Sequence, residues 1–263
     1  GSENVIEEAA QRHALDGLIV AKPDISLEKL RDLIRRGKGQ GLFVKYVAIG
    51  AHVPFRMASF ESMGEIPLVG EREVRLSLAY RVAKRILDLV GSVLVLAVMG
   101  LPMLLIGLIV RLTSPGPALF KQERAGYLGR PFTMYKFRTM NVDVAAYALK
   151  PRNPRDPRIT RFGAFLRRSS LDELPQFMNV LRGEMGLVGP RPEMPFLVEK
   201  YTVEQKERLR VKPGITGLWQ ISADRDHPIH ENIDYDIYYI HNQSILMDII
   251  ILFQTLIFAV RGI

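Results

Sequence analysis

Hydrophobic positions along this chain change rhythm from one end to the other. Short apolar runs come first: Gly17–Ala21 and Leu42–Ile49 predict buried strands, and Ile66–Val69 a third. Ser26–Gly37 predicts a helix, capped by Ser26 and rich in Lys and Arg near its end, and residues 3–15 have helical composition. Strand, helix and strand in that order read as a small α/β unit with a crossover helix. It carries no Gly-x-Gly-x-x-Gly loop, so nothing points to a bound dinucleotide.

A second rhythm starts at Leu89–Val110, where 22 uncharged, mostly apolar residues reach the length of a membrane span. Pro102 near the middle deletes a backbone hydrogen bond and clashes with the preceding turn. In hydrocarbon the freed carbonyl needs another partner. Two forms fit: a kinked spanning helix, or a helix that enters and leaves by one face. Arg81, Lys84 and Arg85 before the run and Arg111 after it put positive charge on both flanks, which suits two ends on one side. Further on, alternation over Phe132–Thr139 predicts a strand with Lys136 and Arg138 on one face. The last run, Ile245–Val260, holds one charge, Asp248, and is too short beyond it to span. It predicts an interfacial amphipathic helix or a core helix.

Charge and composition narrow the chemistry. The 263 residues carry a formal charge of +8, which favours an anionic partner: nucleic acid, lipid head groups or phosphorylated substrates. No nucleic-acid motif appears, so nucleic acid is not an expected partner. Cysteine is absent, which removes disulfides, thiolate metal sites and a cysteine nucleophile. The five histidines, His13, His52, His227, His230 and His241, are scattered. A divalent metal here would therefore be Mg²⁺ on carboxylate and phosphate oxygens.

The densest chemistry lies in Arg167–Pro192, RRSSLDELPQFMNVLRGEMGLVGPRP. Its bland reading is a capping box, with Ser170 accepting from first-turn amides and Glu173 reaching back. Asp172 would then sit at the positive end of a helix dipole. The alternative is an active dyad, Asp172 and Glu173, served by nearby cations. An aspartate is ionised at neutral pH and can attack phosphorus without losing a proton first. Arginines 155, 158 and 161 form a basic stripe, as well read as solvated or lipid-facing as substrate-binding.

Four segments in order, Ser114–Met140, Asp156–Gln176, Asn179–Pro192 and Val211–Gln220, resemble the bacterial sugar transferases, the monotopic phosphoglycosyl transferases. The resemblance covers roughly residues 80–260. It implies an α+β, membrane-associated catalytic domain over 73–263 with a re-entrant helix broken at Pro102 (about 86–110) and an interfacial helix at about 245–260. Residues 1–72 would be the remnant of a Rossmann-like module, as in a large-type member truncated at its N-terminus. The implied reaction moves a sugar 1-phosphate from a UDP-sugar to polyprenyl phosphate, with Mg²⁺, on the cytoplasmic face of the bacterial inner membrane. It would initiate exopolysaccharide, capsule or O-antigen assembly. Asp172 is the expected nucleophile and Glu173 manages metal or acceptor proton, so both are the expected metal ligands. Arg167, Lys136, Arg138 and Arg191 are the expected phosphate or nucleotide contacts. Arg225 is the counterpart of an arginine implicated in the nucleotide site, displaced by one position; Asp236 and Asp248 match acidic positions of the family. Leu101 stands where relatives often carry serine before the proline. Membrane lipids are expected partners, and oligomeric state stays open, a homo-oligomer included. The rival reading is a non-catalytic membrane scaffold that kept the fold.

Overall fold

The computed structural model describes residues 15–21, 29, 32–34, 36–37, 42–47, 58–63, 66–71, 76–145, 147, 153, 156–222 and 232–261. The chain divides into two compact units, Gly1–Arg75 and Leu76–Ile263.

In the first unit, β1 (Gly17–Val20) and β2 (Phe43–Val47) pair in parallel, with helical residues 32–34 and 36–37 between them in the chain. A parallel pair requires such a crossover. β3 (Ala58–Met63) and β4 (Ile66–Glu71) form a hairpin, and β4 pairs antiparallel with β2, giving the order β1-β2-β4-β3. The pattern found β1, β2 and β4 but not β3, whose ASFESM sequence has too few apolar residues to register as a strand. Most of the expected first helix, residues 3–15, lies outside the described residues.

The second unit is built on α1 (Leu78–Thr113), a helix of 36 residues that continues through Pro102, so the break expected there is not seen: the ring removes one backbone donor without ending the helix. Ser77 caps it, accepting from the Tyr80 amide at 3.1 Å. Its middle is bare: Val98 is 73% exposed and Leu101 68%. Both ends are engaged by the same unit. Near the start, Arg85 donates to the carbonyls of Val180 and Leu181 at 2.7 and 2.8 Å. Near the finish, Ile106 and Val110 pack with Phe137 and Leu166 in the core.

That core belongs to a hairpin and two short helices. β5 (Leu119–Ala125) and β6 (Pro131–Phe137) are antiparallel, with Phe120 opposite Lys136 and Arg124 opposite Phe132. Helix α2 (Arg161–Arg168) supplies Leu166; α3 (Gln176–Arg182) lies against α1. β7 (Gly186–Val188) and β8 (Gly214–Thr216) form a parallel pair, and α4 (Asp234–His241) and α5 (Ile245–Arg261) close the chain.

Where α1, α5 and β7 meet, Asp88, Asp248 and Tyr239 are buried and Lys84 is largely so. Lys84 Nζ lies 3.2 Å from Asp88 and 3.2 Å from Asp248. The Tyr239 hydroxyl donates to Asp248 at 2.8 Å, and the Leu187 amide donates to Asp88 at 2.9 Å. Asp248 therefore ties the two apolar helices together and faces no open recess. Burial explains its role: a carboxylate out of reach of water needs an ion pair and hydrogen-bond donors, and Asp248 has both.

Candidate active site

The local sequence Leu-Asp-Glu-Leu sorts itself by polarity. Leu171 and Leu174 stand one tight turn apart and both pack on the core made by Ile106, Val110, Phe137 and Leu166. Burying those two leucines leaves Asp172 and Glu173 on the other side. The turn is a 3₁₀ segment, Leu171–Glu173, and Ser170 before it is left-handed, with φ 55°. In that conformation the Ser170 hydroxyl makes no cap, so the expected capping box does not form. The Glu173 amide instead donates to the Ser170 carbonyl at 3.2 Å. The dyad thus sits on a tight turn between α2 and α3, not at the start of a long helix.

Glu173 is held by two cations at one oxygen. Lys136 Nζ lies 2.6 Å from Oε1 and Arg191 Nη2 3.3 Å from the same atom. Burial pushes the Glu173 carboxyl up, yet Lys136 and Arg191 outweigh it and hold it at about 2. Asp172 differs. Burial pushes it up to about 6, against the pull of Lys136 and with the added repulsion of Glu173. It accepts no hydrogen bond among the described residues. Asp172 is therefore still mostly ionised at neutral pH, with a narrower margin than an ordinary aspartate.

Each cation is placed by its own element. Lys136 projects from β6, which Asn179 of α3 staples: its side chain accepts from the Tyr135 amide at 3.2 Å and donates to the Thr133 carbonyl at 2.7 Å. Arg191 sits in the Gly-Pro-Arg-Pro turn. There Gly189 packs so close that a Cβ would fall 2.5 Å from the Lys212 carbonyl oxygen, which only glycine permits. Arg167, from α2, donates to Thr139 Oγ1 at 3.0 Å and lies in the electrostatic reach of Asp172.

Three expected contacts lie elsewhere. Arg138 follows β6 and turns away from Glu173, donating to the Ser114 carbonyl at 2.7 Å at the C-terminus of α1. A cation there satisfies carbonyls the helix leaves open. Gly116 leaves the space for it, since a Cβ would meet Arg138 Nη1 at 2.5 Å. Asp236 is buried in an ion pair with Arg208 at 2.6 Å, and Arg208 donates to the Arg191 carbonyl at 3.0 Å. Asp236 thus braces the turn that carries Arg191 from behind. Asp248 belongs to the helix junction described above. Arg225, with His227 and His230, lies outside the described residues.

Arg124 was not among the expected residues, although it lines a small recess with Lys136, Gln176 and Arg191. Its signal was present: in LFKQERA, Gln122 and Arg124 occupy the face that β6 shares through Met134 and Lys136.

Among the described residues no cluster of three or more His, Asp or Glu could hold a metal by itself. The donor set still fits Mg²⁺ in its substrate-assisted form, with one or two carboxylates and the rest phosphate and water oxygens. Glu173 uses only Oε1 for its two ion pairs, and Oε2 makes no hydrogen bond among the described residues.

A family model described as bacterial sugar transferase matches residues 79–262. The chain belongs to that family. It is 42% identical over 196 residues to a galactosyl transferase, CpsE, of Streptococcus agalactiae serotype III, covering 70% of this chain and 43% of that protein. It is 39% identical over 207 residues to the UDP-glucose:undecaprenyl-phosphate glucose-1-phosphate transferase of Escherichia coli K12, covering 74% and 44%. The protein of the same description in Xanthomonas campestris pv. campestris is 36% identical over 266 residues, covering 97% and 55%. The chain thus spans about half the length of these relatives.

Proposed function

We propose that this chain transfers a sugar 1-phosphate from a UDP-sugar to polyprenyl phosphate, the first membrane-committed step of a bacterial glycan. The observation that carries the reading is the contrast inside the dyad. Glu173 is clamped by Lys136 and Arg191, while Asp172 has no hydrogen bond of its own among the described residues and lies among three cations. A nucleophile needs free oxygens, and a polyanionic donor needs neutralised surroundings.

In the first half-reaction an Asp172 oxygen attacks the β-phosphorus of the donor. The new O–P bond forms as the bridging P–O bond breaks, and UMP leaves with that electron pair. In the second, a phosphate oxygen of the lipid attacks the same phosphorus, and the Asp172 carboxylate is released with the lipid-linked product. Lys136, Arg167 and Arg191 neutralise the phosphate oxygens and orient them. Glu173, held at about 2, is a poor base at neutral pH, so its task is to fix Lys136 and Arg191 and to offer Oε2 with Asp172 to Mg²⁺. When bound, Mg²⁺ supplies further neutralisation of the transferring phosphate.

The same reading has α1 enter and leave the membrane by one face. Between Asp88 and Val110 a straight helix would run roughly 33 Å, about the thickness of a hydrocarbon core. A crossing would separate its ends, yet Arg85 and Ile106 both engage the catalytic unit. The parallel β1–β2 pair is in keeping with a Rossmann-like reading of residues 1–72. Placement on the cytoplasmic face of the inner membrane follows from a nucleotide donor.

Two experiments test this. With UDP-sugar, Mg²⁺ and polyprenyl phosphate, the parent should release UMP and carry labelled sugar into the organic phase; failure with every donor and lipid would leave the scaffold reading. The cysteine-free chain also allows Leu78→Cys and Leu112→Cys, both at exposed positions, to be labelled separately. Both should react from the same side; reaction from opposite sides would establish a spanning helix.

A further inference from the structure

Arg124 stands just beyond the cations that clamp Glu173. The β5–β6 register sets it opposite Phe132, on the face that carries Met134 and Lys136. Its side chain is 14% exposed, and Glu193 is its ion-pair partner at a loose 3.6 Å. One terminal nitrogen donates to Gln122 at 2.6 Å and the other to the Pro192 carbonyl at 3.4 Å. Nε is buried without a hydrogen-bond partner among the described residues. Buried guanidinium nitrogens are normally satisfied, so this one has capacity to spare.

The recess itself is lined by cations and by no carboxylate, and Asp172 stands near Lys136 and Arg191 without a hydrogen bond among the described residues. Arg124, Lys136 and Arg191 meet there, while Glu173 is shared by two of them and Glu193 serves the third at a distance. Cations removed from water need matched anions. A phosphate would supply that charge, and the planar fork of arginine suits it. Arg191 links the two ends of the site, bonded to Glu173 on one side and in electrostatic contact with Arg124 on the other. A diphosphate extending from phosphorus beside Asp172 toward its leaving group would follow that line.

We infer that Arg124 binds the nucleoside-proximal phosphate of the donor, the one that departs in UMP. This rests on the proposed attack by Asp172 on a UDP-sugar. A lipid phosphate is a second source of the same chemistry. Arg124 lies five residues along β5, about 17 Å of strand, from Leu119, which packs on the core cluster that holds Ile106 and Val110 of α1. That separation from the apolar helix favours the nucleotide.

A simple tether is the rival, because Arg124 also holds Pro192 and Glu193 next to Arg191. Titration calorimetry on the full chain in nanodiscs separates the two, using UMP, uridine and polyprenyl phosphate as probes. The parent should prefer UMP to uridine. Arg124→Gln should bind UMP about tenfold or more weakly, the loss expected of a charge-assisted hydrogen bond, with uridine unchanged. Arg124→Lys should fall between, and carries the test if the glutamine variant does not fold. Glu193→Gln, which cuts the tether and spares the guanidinium, should keep or tighten UMP binding. Equal UMP loss in Glu193→Gln and Arg124→Gln would overturn the inference, as would undiminished UMP binding in Arg124→Gln or a loss confined to polyprenyl phosphate. A parent with no preference for UMP over uridine would instead sink the donor reading itself, along with what rests on it.

Discussion

Two ionic clusters in the second unit use the same kinds of side chain to opposite ends. At the helix junction, Lys84 is matched by Asp88 and Asp248, and these are completed by the Leu187 amide and the Tyr239 hydroxyl. Asp248 is 0% exposed and Asp88 3%, so nothing further can enter. At the dyad, cations gather round fewer acceptors, Asp172 is unbonded among the described residues, and a recess opens between Lys136, Arg191 and Arg124. A saturated cluster is a strut. One with spare capacity is a site. The difference lies in how completely the protein answers its own charges, which residue type alone does not reveal.

The comparison breaks if the two clusters respond alike to mutation. Asp248→Ala should have the largest effect on folding, about 3–5 kcal/mol lost in chemical denaturation, because it strips the largely buried Lys84 of one of its two carboxylates and leaves the buried Tyr239 hydroxyl without its closest acceptor. A loss under about 1 kcal/mol would mean the junction is no strut. Lys136→Ala should leave the protein folded and lower kcat/KM by about 100-fold or more, the scale of losing one preorganised charge at a transferring phosphate. Near-normal turnover would take Lys136 out of the site.

Acid sharpens the contrast within the dyad. The folded Asp172 carboxyl sits at about 6, above its ordinary 3.8, so the first half-reaction should fall toward tenfold per pH unit below about 6. Glu173, at about 2, should contribute no inflection across that range. The raised value carries a stability cost of opposite sense to that of an ordinary paired aspartate. Between 3.8 and 6 the folded state binds the extra proton, so stability declines as pH rises through that window. Asp172→Asn should therefore stabilise the fold by about 1–2 kcal/mol above pH 6, with the gain vanishing below pH 4. A pH-independent difference would contradict the assignment. The smallest effect belongs to Arg138→Lys, about 1 kcal/mol of stability with UMP affinity unchanged, since its guanidinium serves the end of α1.

Patterns that act locally were legible in the sequence. The apolar run predicted within α1 and the alternation that became β6 are both written in neighbouring residues. Lys136, Arg167, Arg191 and the dyad also come together as the resembling motifs implied. What could not be read were partners far apart in the chain, such as Lys84 with Asp248 or Arg208 with Asp236. Asp236 and Asp248 looked like substrate contacts because a buried acid and a functional acid are written with the same letter. Arg138 was misled by extrapolation: alternation stops counting where β6 ends at Phe137. The capping box failed for a related reason, because burying Leu171 and Leu174 dictated the turn and left Ser170 left-handed.

The central claim is that Asp172 takes the phosphosugar covalently. Intact-protein mass, measured after adding a panel of UDP-sugars with Mg²⁺ and no lipid acceptor, tests it directly. The parent should gain one sugar phosphate and release an equal amount of UMP, identifying the sugar at the same time, and Asp172→Asn should do neither. An adduct that persists in Asp172→Asn, or its absence from a folded parent that still transfers sugar phosphate when lipid is added, would contradict the account.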